Sequence, residues 1–99
     1  MPYRVQFAES AEAHLAELTV LQQTIVLKAV KMQLRFEPLR ETGKRKQLRP
    51  NPFAPWELRL GDLRVFYEVD AEEADLVNIL AIGIKRGNRL FVAGEEIRI

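Results

Sequence analysis

Ninety-nine residues, 47% hydrophobic and 29% charged, make an ordinary globular composition with enough chain for one domain and a small core. The chain has no cysteine, which excludes disulfide frameworks, thiolate metal sites and cysteine nucleophiles, and no apolar run approaches the roughly 18–20 residues that span a bilayer. A net charge of +1 excludes a uniformly basic nucleic-acid binder, although the charge is unevenly spread.

The opening segment, "MPYRVQFAES", lacks the apolar stretch of a secretory signal, so a cytoplasmic protein is expected. Tyr3, Val5 and Phe7 alternate with Arg4 and Gln6, the pattern of a half-buried strand. Ser10 then stands where a helix N-cap belongs, with Ala11, Leu15 and Leu18 at helical spacing behind it. A second helix is expected from about Val20 to Phe36, with Ile25, Leu27, Val30 and Leu34 as its apolar stripe. Glu37-Pro38 ends it, because the residue before proline avoids the α region. So short a link predicts an antiparallel helix hairpin.

The segment 39–55, "LRETGKRKQLRPNPFAP", is a basic loop punctuated by Gly43, Pro50, Pro52 and Pro55, with "RKQLR" as a short edge strand. Residues 56–70, "WELRLGDLRVFYEVD", form a hairpin with Gly61-Asp62 at a II′-type tip. In that register Leu60 faces Leu63, Arg59 faces Arg64, Leu58 faces Val65 and Glu57 faces Phe66. Trp56, Leu58, Leu60, Leu63, Val65, Tyr67 and Val69 then form a core face. After the turn "AEEAD", the strand "LVNILAIGI" (76–84) is apolar on both faces, which places it centrally and under cover. The tail "KRGNRLFVAGEEIRI" starts irregular and ends in a strand or a helix. The expected fold is α+β, a single domain over 1–99. It has an N-terminal strand, an antiparallel helix hairpin, then a mostly antiparallel sheet of about four further strands with the helices on one face.

Chemistry follows from charge placement. Residues 35–64 carry eight basic and four acidic side chains, 65–84 five acidic and no basic ones, and 85–99 four basic and two acidic. If the two basic segments meet, they form an anion-binding face. Arg59 and Arg64 side by side are disfavoured as like charges, but tolerable if they share an anion, and phosphate suits the guanidinium fork. Phe66 on the same face either stacks on a base or lies under the C-terminal tail. Glu57, beside Arg59 and diagonal to Arg64, offers the plainer alternative of exposed salt bridges worth about 0–1 kcal/mol. The lone His14 excludes histidine metal clusters and dyads, and the lone Ser10 has no partnered base. The glycines fit no phosphate loop, and the carboxylate pairs Glu72-Glu73 and Glu95-Glu96 lie in turn-like or terminal segments. No metal or cofactor is expected.

The strand–helix "YRVQFAESAEAHLAEL", the second helix ending at proline, the hairpin "WELRLGDLRVFYEVD" and the strand "VNILAIGIKRGNRLF" resemble the RelE/ParE superfamily of type II toxin–antitoxin toxins over nearly the whole chain. The resemblance implies a toxin neutralised by a cognate antitoxin. In the RelE-like branch it implies a ribosome-dependent endonuclease that cuts messenger RNA by 2′-OH attack on the neighbouring phosphate. By position it implies Arg59, Arg64 and the basic residue after Gly83, Lys85 or Arg86, as catalytic residues. Lys44 and Lys46 then extend an RNA-contacting surface shared with Phe66 and Phe91. Two positions depart from the RelE-like pattern: Glu57 stands where a basic residue is usual, and Phe91 where a tyrosine is. These departures keep open a ParE-like poison of DNA gyrase, or an inactive antitoxin-binding module of the same fold. No membrane partner is implied.

Overall fold

The 56–70 hairpin forms the middle of the sheet, in the register its alternation requires: Arg59 lies opposite Arg64, and Glu57 opposite Phe66. The computed structural model describes residues 2–98, so Met1 and Ile99, the ends of the domain expected over 1–99, lie outside the described residues. In chain order the elements are β1 (Arg4–Phe7), α1 (Glu9–Ala16), α2 (Val20–Gln33), β2 (Arg45–Gln47), β3 (Trp56–Leu60), β4 (Leu63–Val69), β5 (Leu76–Arg86), β6 (Arg89–Val92) and β7 (Glu95–Ile97). The architecture is the expected α+β fold, two helices on a mostly antiparallel sheet. The tail resolves its open alternative as strand: β6 and β7 extend the sheet past β5, in the order β2-β3-β4-β5-β6-β7. Among the described residues no helix is long and apolar enough to cross a membrane.

β5 is central because β4 runs along one edge while β1, in parallel, and β6, antiparallel, share the other. Between the end of β1 and the start of β6 that edge is open, and α1 closes it. Ser10 Oγ donates to the Leu80 carbonyl at 3.0 Å, and His14 Nδ1 accepts the Ile82 N–H at 3.2 Å. Ser10 is therefore not the N-cap: Ala8 holds that position with no side-chain cap, and Ser10 serves the strand's backbone instead. The unpaired edge explains both residues, since a covered backbone amide or carbonyl needs a partner. Gly83 is required where β6 crosses β5; a Cβ there would meet the Phe91 carbonyl oxygen at 2.8 Å and Val92 Cγ2 at 2.9 Å. At the hairpin tip Gly61 takes φ 60 while Asp62 keeps a negative φ, as a II′ turn requires.

Thr19 and Gln22 close a reciprocal capping box at the start of α2. The helix stops at Gln33 rather than Phe36, and Glu37 takes a left-handed φ of 53 before the buried Pro38. Its core-facing stripe also differs from expectation. Val26, Val30 and Leu34 are buried, whereas Ile25 and Leu27 are exposed. α2 carries apolar side chains all round, so its pattern did not single out one face.

The main core lies between the helices and the sheet, where Ala11, Val26, Val30 and Leu34 meet Trp56, Leu58, Val65, Tyr67, Val77, Ile79 and Ile82. Tyr67 stacks near Trp56 at 6.1 Å and donates its hydroxyl to the Pro38 carbonyl at 2.6 Å; burial pushes its phenol well above the ordinary range. A bulge places an extra residue, Leu80, in β5 between the partners of Phe66 and Tyr67, so Leu80 and Ala81 both join a second cluster on the far face. Phe66, for which cover by the C-terminal tail was the alternative to stacking on a base, is fully buried there. Phe53 meets it edge-on at 5.0 Å, while Leu90 and Val92 of β6 pack on the same cluster. At the opposite end of the sheet, Arg4 ties the 70–75 turn to β1 through Glu73 and Asp75. The guanidinium holds the Asp75 carboxyl below its usual range.

Candidate functional site

The second cluster covers only part of the sheet's far face. Toward the hairpin tip that face opens into a basin of about 800 Å³. Its floor follows from strand pairing: Arg64 stands opposite Arg59 on one side and opposite Gly83 on the other, and Lys85 lies two residues beyond Gly83 on the same face. The Lys85 N–H donates to the Asp62 carbonyl at 2.7 Å, pinning the turn against β5. Arg49 enters from the proline-rich loop, Arg89 from β6 and Arg98 from the tail. The lining thus holds six cationic side chains (Arg49, Arg59, Arg64, Lys85, Arg89, Arg98) against the carboxylates of Glu57 and Glu96. Low-dielectric walls and a cationic excess of this kind focus potential onto an anion.

Glu57 is the counterion at the centre of the floor. It is 8% exposed, and its Oε1 accepts from Arg59 Nε at 2.7 Å and stands 3.8 Å from Arg64 Nε. Arg64 Nη1 donates to the Gly61 and Leu63 carbonyls at 2.5 and 2.9 Å, which fixes its plane. The adjacent arginines are therefore oriented by one carboxylate. Arg59 keeps its two Nη groups outside any hydrogen bond of the described residues, with its side chain 42% exposed. One bound carboxylate leaves most of the guanidinium donors available to a phosphate oxygen.

Of the residues singled out by sequence, Arg59, Arg64 and Lys85 come together in this basin. Arg86 does not: it faces the helix side, in a separate depression of about 380 Å³ shared with His14, Leu18 and Phe91. Phe91 pairs opposite Ile84, whose side chain packs in the main core, so it points away from Arg59 and Arg64. Strand alternation separates the two consecutive candidates, Lys85 outward and Arg86 inward. Lys46 is exposed and lies opposite Glu57 on edge strand β2, one strand outside the basin. Lys44 is exposed and contributes its carbonyl to the Arg59 N–H at 2.8 Å. Phe66, being buried, offers no face to a base. Arg49, Arg89 and Arg98 were visible in the sequence only as basic segments that would have to meet.

Replacing Glu57 with Gln removes the charge that holds the pair. The expected loss is on the order of 1–2 kcal/mol, below the roughly 3–5 kcal/mol of a fully buried pair because Arg59 is 42% exposed. Thermal melts with and without sulfate check this: an anion that binds only the folded state should restore more stability to Glu57→Gln than to the parent. Equal sulfate gains in both would show that the two arginines do not share an anion.

No protein-family model matches the sequence, and no curated sequence matches it. Solved structures do. A chain of the RelBE2 toxin–antitoxin complex of Mycobacterium tuberculosis is 29% identical with a TM-score of 0.72, over 86% of this chain and 100% of that one. A chain of the archaeal RelE–RelB complex of Pyrococcus horikoshii OT3 is 26% identical with a TM-score of 0.66, over 88% of this chain and 98% of that one. Two helices on one face of a mostly antiparallel sheet, matched by these chains, make this a RelE-like α+β fold. The chain has the fold of the RelE/ParE superfamily, as its sequence resemblance implied.

Proposed function

We propose that this protein is the toxin of a type II toxin–antitoxin pair, and that it acts in the cytoplasm by cutting messenger RNA on the ribosome. Its likeness to chains of RelE–RelB complexes supports a cognate antitoxin as its partner. The observation that carries the RNA reading is the meeting of Arg59, Arg64 and Lys85 in one open basin with a cationic excess. A scissile phosphate seated there meets the two Nη groups of Arg59 and the remaining Nη2 of Arg64. As the ribose 2′-hydroxyl gives its proton to solvent water and its oxygen bonds to phosphorus, charge builds on the non-bridging oxygens, where preorganised donors are worth most. The bond to the 5′-oxygen then breaks, leaving a 2′,3′-cyclic phosphate. Arginine stays protonated, so Lys85 is the group assigned to hand the leaving oxygen its proton. Cleavage of this kind uses no metal or cofactor.

A ParE-like gyrase poison is the second reading, favoured by Glu57 occupying both arginines and by Phe91 facing away from the basin. Induced expression separates the two. The RNA reading expects translation to stop first, with primer extension mapping cuts inside translated messages. Intact transcripts with DNA breaks, reproduced on purified gyrase, would transfer the assignment to the second reading. Unimpaired growth would leave only an inactive antitoxin-binding module.

A further inference from the structure

The depression on the helix side of β5 and β6 holds two charged side chains to which the fold gives no partner. Its floor is aliphatic, built from Leu18, Ile82 and Ile84, and the half-buried ring of Phe91 lines it beside them. Phe91 pairs opposite Ile84, and Arg86 follows Ile84 by two residues on the same face, so Arg86 is the diagonal neighbour of the ring. A diagonal pair lies within reach of long and aromatic side chains. From the other side, His14 Nδ1 accepts the Ile82 N–H at 3.2 Å, which holds the end of α1 against β5. Glu17, three residues on, shares that face of the helix and reaches the rim. Among the described residues neither Glu17 nor Arg86 takes part in an ion pair. Glu17 is moreover the C-cap of α1, the end of a helix where a carboxylate is disfavoured by the dipole. Ala93, also on the rim, keeps a left-handed φ of 53 that non-glycine residues rarely adopt, and strain of this kind gathers at binding sites.

An aromatic face with a guanidinium and a carboxylate beside it is complementary to one nucleobase. Guanine places two acceptors, O6 and N7, together on one edge, where arginine binds both. Its neighbouring edge carries two parallel donors, N1–H and the N2 amino group, which suit the two oxygens of an ionised carboxylate. Adenine reverses both positions: its N6 amino group would meet the arginine, and its N1 lone pair the carboxylate. The ring of either base would stack on Phe91 equally well, so the two charged groups decide between them. We propose that this depression binds a guanine base, with Phe91 stacked on the ring, Arg86 donating to O6 and N7, and Glu17 accepting from N1–H and the N2 amino group. The depression lies on the opposite face of the sheet from Arg59 and Arg64, so the site is separate from the basin and stands whether or not the chain cuts RNA. The same base chemistry reaches it from a free guanine nucleotide or from a guanine in a single strand.

The test titrates the isotope-labelled full chain with nucleosides, which lack the phosphate that the basin would hold, and follows amide shifts by NMR. Guanosine should shift the amides of Glu17, Arg86 and Phe91, and adenosine at the same concentration should not. Inosine keeps N1–H, O6 and N7 but lacks the N2 amino group, and should bind about fivefold more weakly than guanosine. Glu17→Gln and Arg86→Ala should each weaken guanosine at least about fivefold, the lower end for one lost bidentate contact. Both side chains are exposed, so their melting temperatures should match the parent's. Phe91→Leu keeps an apolar cover but loses the stack, and should also weaken guanosine about fivefold. Equal shifts with adenosine, parent-like binding by Glu17→Gln, or guanosine shifts confined to the basin would overturn the proposal, as would no shift in a saturated guanosine solution. A 2′-O-methyl oligouridine carrying one guanine identifies the source. Tighter binding of this strand than of guanosine monophosphate, read at the same three amides, assigns the site to single-stranded RNA, and the reverse order assigns it to a free nucleotide. Oligouridine without the guanine should leave those amides unmoved, and movement of them would count against a guanine site.

Discussion

Alanine at Arg59 or Arg64 should each lower cleavage of a translated message by about 100-fold, the typical cost of removing one preorganised charge donor from a transition state. The double variant should fall further, though by less than the product, because both act on one phosphate. The rate is read in a reconstituted translation system by primer extension. The variants also remove the partners of Glu57, a carboxylate only 8% exposed, so some lost activity could come from the fold. Adding Glu57→Gln to the double variant removes that stranded charge, and the triple variant should regain stability without regaining cleavage. Arg86→Ala, on the helix side of β5, supplies the contrast and should cost less than about threefold on the geometry of its depression. If Arg86→Ala proves as damaging as Arg59→Ala, the phosphate does not sit between Arg59, Arg64 and Lys85.

The hairpin was legible because its two signals agree. Period-two alternation fixed the faces of β3 and β4, and Gly61-Asp62 fixed the register, so the Arg59–Arg64 pair followed without a structure. What alternation could not reveal is cover. Phe66 lies on the predicted face yet is buried, because a proline-rich loop and a strand distant in sequence fold over it. The choice between Lys85 and Arg86 depended on β5 continuing as strand through both residues, and β6 fixes that by pairing with them. α2 misled for a different reason. Hydrophobic periodicity assigns a face only when the other face is polar, and Leu21, Ile25, Leu27 and Met32 blur that contrast.

Arg45 is the charged residue whose loss should harm the fold most, although the sequence presents it as one more charge in "GKRKQ". It is 8% exposed, and its Nη1 donates to the Gln33 carbonyl at 2.7 Å while Nε donates to the Arg40 carbonyl at 2.9 Å. The guanidinium thus binds the last turn of α2 and the loop beyond it, tying both to edge strand β2. Arg45→Ala removes a charged donor from two half-buried carbonyls, at about 1–2 kcal/mol each. A loss of about 2–4 kcal/mol is expected, which at roughly 4–8 °C per kcal/mol lowers the melting temperature by about 8–30 °C. Arg45→Lys should recover part of this, because one ammonium cannot reproduce the planar fork that reaches both carbonyls. Arg40→Ala is the control: its ion pair with Glu37 is exposed on both sides and should cost under about 0.5 kcal/mol. A melt of Arg45→Ala indistinguishable from that of Arg40→Ala would refute the assignment. The consequence reaches the basin, because β2 supplies the strand beside β3 and the Lys44 carbonyl holds the Arg59 N–H. Loosening the C-terminal end of α2 should therefore weaken sulfate stabilisation as well as the fold, a coupling that Arg40→Ala should not show.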